Sequence, residues 1–205
     1  MKSLFQNDKI EVNYVGEDMN KCEHCKSNEV KVYFNGSIES IYLCIDCYNK
    51  IMSEELGVEL EQLIESFSVK DYQGISRTFS VERRITPAGI CLEATENLMF
   101  GYKFSVYGEL TSKQTELVNQ LMAKTRKGVA KQQVELNVFP NGQEYHSIID
   151  DQFTGLIEYN EHSNESPLVI IDGKPFTWEQ IGKMVMAYEG FQMKLTMYDA
   201  TDEVE

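Results

Sequence analysis

Cys22-Glu23-His24-Cys25 and Cys44-Ile45-Asp46-Cys47, separated by 18 residues, decide how the N-terminal part of this chain folds. A two-residue spacer lets both sulfurs of a pair turn toward one ion, and two such pairs supply the four thiolates of a closed tetrahedral zinc site. Between the pairs, Val30, Val32 and Phe34 alternate with Lys31 and Tyr33, Asn35-Gly36 supplies a tight turn, and Ile38, Ile41 and Leu43 lead into the second pair. The pattern predicts a hairpin that brings two knuckles together around one structural zinc ion, with Cys22, Cys25, Cys44 and Cys47 as ligands. Four thiolates fill the coordination sphere and leave no position for a catalytic water.

Two disulfides or a redox-active dithiol also use closely spaced cysteines. A reducing compartment disfavours the first, and the second needs one pair near a strand-to-helix turn rather than two matched pairs across a hairpin. Iron in the same four-cysteine cage, as in rubredoxin, is the main alternative metal. His24 lies inside the first knuckle, where four available cysteines leave it a surface or supporting role rather than a ligand's. Cys91 falls in a segment that reads as strand, and core packing is its expected use.

The run from Cys22 to Met52, with Glu29-Val30-Lys31-Val32-Tyr33-Phe34, Tyr42-Leu43-Cys44 and Cys47-Tyr48-Asn49-Lys50, resembles the N-terminal zinc modules of bacterial McsA and ClpE-type Clp ATPases. The resemblance covers about 30 residues, the span of one such two-pair site. It implies protein contact, through oligomer formation or engagement of a kinase or protease partner, rather than chemistry. The further cysteine pairs and UvrB/UvrC-type helical segment of McsA are missing, as is an ATPase P-loop, so only the module transfers. Ile171 to Asp199 resembles the ending of uncharacterised bacterial proteins that also begin with a zinc ribbon, which implies no activity.

The 205 residues suffice for a hydrophobic core with a small appendage, and 42% hydrophobic with 25% charged residues is the balance of a folded globular chain. No apolar run approaches the roughly 18 to 20 residues that cross a bilayer, and residues 1–16 lack the basic start and apolar run of a signal peptide. A cytoplasmic protein without membrane association is expected. The net charge of −14 is uneven: −7 over residues 1–66, +3 over 67–140 and −10 over 141–205. Acidic ends argue against a dedicated nucleic-acid binder, because such binding draws on Lys and Arg displacing counterions from phosphates.

After the cysteines, Ile51, Met52, Leu56, Leu60, Leu63, Ile64 and Phe67 recur at mostly helical spacing, predicting an amphipathic helix, or two short ones broken near Gly57, that buttresses the ribbon. Ser68 to Gly74 reads as a linker. The expected organisation is an N-terminal extension (1–21), a zinc ribbon with its helix (22–67) and an α+β domain (75–205), giving an α+β chain whose body is mainly antiparallel. Met19 is an alternative start, since the residues before it lack a clear structural role.

In the body, Arg77 to Ile85, Ile90 to Ala94 and Phe100 to Tyr107 read as an antiparallel meander. Thr111-Ser112-Lys113-Gln114 has capping-box spacing and opens a helix with Leu117, Val118, Leu121 and Met122 on one face. Leu156 to Tyr159, Leu168 to Ile171 and Phe191 to Met197 read as strands. Asp172-Gly173 reads as a turn, and Thr177-Trp178-Glu179-Gln180 as a second capping box before a helix ending near Gly190. Trp178 is expected to pack against the sheet.

No phosphate loop, H-E-x-x-H or G-x-S-x-G occurs. His146 with Asp150 and Asp151 is the best polar cluster; it could orient a base or bind a second metal, but three residues with one histidine are a weak signal and an acidic surface loop accounts for them. Lys124, Arg126, Lys127 and Lys131 make a basic run that suits a helix C-terminus. The expectation is not an enzyme but a zinc-binding interaction or adaptor protein with a protein partner, and with self-association as a further outcome. A nucleic-acid-associated regulator is the alternative. The ribbon's fold is expected to depend on zinc, while residues 75–205 hold a core of their own.

Overall fold

The computed structural model describes residues 21–26, 29–35, 40–163 and 165–203. The N-terminal extension as far as Asn20, including Met19, and the tight turn expected after Asn35 lie outside the described residues. Among those described, three helices and eleven strands make an α+β protein built on antiparallel pairing. None of these helices is long and apolar enough to cross a membrane.

Strands β1 (Val32–Asn35) and β2 (Ser40–Leu43) form the expected antiparallel ribbon, with Val32 opposite Leu43 and Tyr33 opposite Tyr42. Helix α1 (Ile45–Leu56) follows at once, with Cys44 in extended conformation as its N-cap and Asp46 placed in the first turn, where the helix dipole favours an anion. Cys47, Tyr48, Asn49, Met52 and Ser53 form its buried face. Gly57, at φ +67°, ends it, and Val58 N–H bonds back to the Ser53 carbonyl at 2.9 Å. The helix therefore begins earlier than its apolar spacing suggested. The break near Gly57 is present, but no second helix follows. Phe67 belongs instead to β3 (Ser66–Lys70), whose exposed-buried alternation is a strand's.

β3 also replaces the first half of the linker read at Ser68 to Gly74. It pairs antiparallel with β4 (Ser76–Thr86), Phe67 opposite Phe79, and the sheet continues through β5 (Gly89–Glu96) and β6 (Lys103–Gly108) in that order. Between these strands the chain turns at Asp71. Its Oδ1 accepts from Gln73 and Ile75 N–H at 2.9 and 3.0 Å, and its Oδ2 takes Arg77 Nε at 2.7 Å. Arg77 reaches on to Glu96 Oε1 at 3.0 Å. β6 starts later than expected because Phe100, at φ +59°, and Gly101 form a turn, closed by Gly101 N–H on the Leu98 carbonyl at 3.0 Å.

Helix α2 (Gln114–Val129) buries Leu117, Val118, Leu121, Thr125 and Val129 and packs against β3. The capping box read at Thr111 is not formed. Lys113 is the N-cap without a side-chain bond, and Gln114 opens the helix as a buried residue. Beyond it, β7 (Val134–Val138) and β8 (Glu144–Ile148) make a hairpin, and β9 (Leu156–Glu158), β10 (Leu168–Ile171) and β11 (Lys174–Phe176) make a three-stranded sheet. The turn at Asp172-Gly173 is as read, with φ +52° and +69°. Asp172 Oδ2 also accepts from Gln133 and Val134 N–H at 2.8 and 2.9 Å, fixing the start of β7.

Helix α3 (Trp178–Val185) carries the second capping box intact. Gln180 N–H donates to Thr177 Oγ1 at 3.2 Å, and Thr177 N–H donates to Gln180 Oε1 at 2.8 Å. Ile181 and Met184 enter a core with Val134, Val169, Ile171 and Phe176. Trp178 opens the helix but stays 39% exposed rather than packing fully. The strand expected at Phe191 to Met197 is absent: its period-two pattern is present, but the segment has no partner strand among the described residues.

The chain forms two compact units that interleave in sequence. One holds the described residues as far as Gln62 with Arg83–Cys91 and Gly108–Ser112, and the other holds Leu63–Glu82, Leu92–Tyr107 and the remainder from Lys113.

Candidate metal centre

The ribbon and α1 converge on the cysteines. Glu23 N–H bonds to the Tyr42 carbonyl at 2.9 Å, hanging the first knuckle on β2, and Lys26, at φ +61°, closes that knuckle by donating to the Cys22 carbonyl at 2.8 Å. The second pair straddles the strand-to-helix junction, where Cys47 N–H points at Cys44 Sγ at 3.5 Å. The sulfurs of Cys22, Cys25, Cys44 and Cys47 all lie within 4.8 Å of one another, and those of Cys25 and Cys44 are 3.8 Å apart. Zinc–sulfur bonds of about 2.3 Å place tetrahedral sulfurs roughly 3.8 Å from each other, so the cluster is compatible with one metal ion among the four sulfurs. A disulfide needs about 2.05 Å, and none of the four cysteines is in one.

The electrostatics point the same way. Burial and the neighbouring sulfurs of Cys44, Cys22 and Cys25 push the Cys47 thiol up. At Cys22 burial acts upward too, but backbone hydrogen bonds from Cys25, Cys44 and His24 outweigh it and leave the thiol below its ordinary value. Four crowded sulfurs cannot all carry charge by themselves, whereas a cation at their centre lets each do so. The N-terminus of α1 adds positive potential at Cys44 and Cys47.

Cys44 and Cys47 do occupy a strand-to-helix turn, which corrects one ground on which the redox reading was set aside. The approach of Cys22 and Cys25 to the same point now separates the two readings, since a dithiol needs only one pair. His24 is exposed, and its Nδ1 lies 3.5 Å from Cys47 Sγ, so it contacts a candidate ligand instead of replacing one. Sequence reasoning missed Asn49, buried on α1, which donates to the Arg83 carbonyl at 2.7 Å and accepts from Ile85 N–H at 2.9 Å. Only its place between Tyr48 and Met52 on the buried face marks it.

The other candidates do not form a site. Cys91 is half-buried, on the opposite face of β5 from Ile90, Leu92 and Ala94, and so leaves the expected core position by strand parity. His146 sits edge-on to Phe176, Asp150 pairs with Lys131 at 2.9 Å, and Asp151 accepts from Tyr188 Oη at 2.9 Å. In the basic run, Lys124 donates to the carbonyls of Ser105, Ala200 and Asp202 at 3.0, 3.0 and 2.6 Å, and Lys127 meets Glu203 at 3.5 Å.

Three family models match successive parts of the chain, each described as a domain of unknown function: DUF7685 over residues 21–59, DUF7686 over 61–130 and DUF7713 over 133–202. The four cysteines fall wholly within the first. No curated protein and no solved structure matches.

Proposed function

We propose that Cys22, Cys25, Cys44 and Cys47 hold one structural zinc ion and that the module so formed serves protein–protein contact, making the chain a cytoplasmic interaction or adaptor protein. The four-sulfur cluster carries the metal reading: its spacing, its thiols outside any disulfide and the helix N-terminus behind it suit a tetrahedral thiolate site. When bound, the ion supplies a crosslink between the first knuckle and the start of α1. The protein's own groups do the rest: Tyr42 and Lys26 set the knuckle, and the His24 ring flanks Cys47.

Support for the contact role is the resemblance of residues 22–52 to the McsA and ClpE modules, together with the closed coordination sphere, which suits structure and leaves no ligand position for catalysis. Lys124, Lys127 and Lys131 of the basic run engage the chain's own carbonyls and carboxylates, which favours the contact role over the nucleic-acid alternative. The test is affinity capture from the native host with wild type and Cys44→Ser. A partner held by wild type and lost from the variant, with α2 and α3 still folded, is the expected result. Equal capture by both separates the contact role from the metal site and overturns it.

A further inference from the structure

Lys124, Arg126, Lys127 and Lys131 place four of the chain's 19 Lys and Arg residues within eight positions, in a chain of net charge −14. An acidic segment, residues 199–203, lies on part of this run. Lys124 Nζ donates to the Ala200 and Asp202 carbonyls at 3.0 and 2.6 Å, Ser105 Oγ on β6 donates to the same Ala200 carbonyl at 3.1 Å, and Lys127 pairs with Glu203 at 3.5 Å. The segment is turned on itself as it does so. Asp199 Oδ1 accepts from Thr201 N–H and Oγ1 at 2.9 and 2.6 Å, and Asp202 N–H returns to the Asp199 carbonyl at 3.0 Å. It is lightly held: Ala200, Asp202 and Glu203 are exposed, and exposed ion pairs contribute little. From Gln192 to Tyr198 no hydrogen bond joins the chain to any described residue, so the segment can lift from α2 with no bond in that stretch undone.

We propose that Ser105, Lys124 and Lys127 form a docking site for an acidic peptide segment of a partner protein, and that residues 199–203 cover this site as an internal competitor. The occupant is argued from what sits there. Main-chain carbonyls meet Lys124 and Ser105, and one carboxylate meets Lys127, groups that a peptide bearing Asp or Glu presents in the same combination. A nucleic acid would bring many phosphates to three donors, and the field of a chain of net charge −14 opposes it far more than a peptide with two or three carboxylates. Tethering gives residues 199–203 a high effective concentration, so the site stays closed to weak acidic peptides and opens to a partner that adds contacts of its own. This site is independent of the metal centre and stands or falls without it.

The test uses the full-length protein and a fluorescent peptide with the sequence of residues 198–205. The double variant Asp202→Lys with Glu203→Lys, which sets like charge against Lys124 and Lys127, is expected to bind the peptide saturably and roughly tenfold or more tighter than wild type, with Glu203→Gln between the two. Adding Lys127→Glu to the double variant is expected to abolish that binding. Asp202, Glu203 and Lys127 are exposed, so all these variants keep the wild-type melting transition. Equal binding by wild type and the double variant, or none by either, overturns the proposal. A markedly lower melting temperature in both Glu203→Gln and the double variant does so as well, since it makes residues 199–203 a structural strap. Tighter binding of a DNA duplex of about 20 base pairs than of the peptide, lost steeply with added salt, makes the ligand a nucleic acid and overturns the assignment to a peptide.

Discussion

The carboxamide of Asn49 closes on Ile85 as a neighbouring strand would: Oδ1 accepts Ile85 N–H at 2.9 Å while Nδ2 donates to the adjacent Arg83 carbonyl at 2.7 Å. Asn49 and Ile85 are both buried, so one side chain on the cysteine-capped helix satisfies the backbone of β4 at two points. Replacing it with alanine orphans a buried donor, the Ile85 N–H, and a part-buried acceptor, the Arg83 carbonyl. Asn49→Ala is expected to cost about 1–3 kcal/mol, read as a lower urea midpoint with metal content unchanged. A loss within experimental error of zero shows that the bonds are not needed.

This bond widens what loss of the metal should disturb. In Cys44→Ser, amide exchange is expected to accelerate through Cys22–Leu56 and also through Arg83–Cys91, which belong to the same compact unit, while α2 and β10 stay protected. Acceleration confined to the cysteine ribbon would return the boundary to the one read from sequence. Acceleration throughout α2 and β10 would show a single shared core.

His24 offers a test of ligand against neighbour. Because its Nδ1 contacts Cys47 Sγ at 3.5 Å without entering the four-sulfur cluster, His24→Ala is expected to keep one metal per chain and to weaken retention against a chelator by about 10- to 100-fold. Loss of stoichiometric metal would make His24 a ligand.

Gly128 reverses an ordinary rule. Glycine to alanine within a helix gains about 1 kcal/mol from propensity, but a Cβ here would lie 2.2 Å from Phe104 Cε1 and 2.5 Å from Cζ. Overpacking of that kind costs about 1–3 kcal/mol, so Gly128→Ala is expected to be neutral to destabilising. A higher melting temperature would mean that Phe104 moves aside freely.

Asp71 sets an acid limit. Burial pushes its carboxyl up, but the Arg77 guanidinium and the Ile75 and Gln73 N–H groups outweigh this and hold it below the usual carboxylate range. A depressed folded value means stability that is complete above the unfolded pKa, near about 3.9, and is lost as pH falls through the lower folded value. Wild type should lose more stability than Asp71→Asn between about pH 5 and pH 2, measured by denaturant midpoints. Parallel curves would contradict it.

The cysteine cluster was legible because ligand spacing is local: each pair is three residues apart, and the hairpin between them announces itself by alternation. Thr177 and Gln180 were legible for the same reason. Where the reading failed, tertiary pairing decided. Ser68–Lys70 read as the start of a linker, and Phe67 as part of a helix, until β4 supplied a partner, and the residues after Gly57 kept helical spacing without forming a helix. Phe191 to Met197 failed in the opposite direction, having a strand's pattern but no partner strand among the described residues. Asn49 carried no signal beyond its place between Tyr48 and Met52, since an asparagine's bonds to a distant backbone leave no periodicity.

Metal analysis of the purified full-length chain, joined to thiol titration before and after denaturation, asks directly whether Cys22, Cys25, Cys44 and Cys47 hold an ion. One zinc per chain is expected, with those four thiols silent in the native protein and reactive once it is unfolded and chelated. One iron per chain would keep the cage and change its metal. Neither metal, with all four thiols freely titratable in the native protein, would contradict the metal centre and the account built on it.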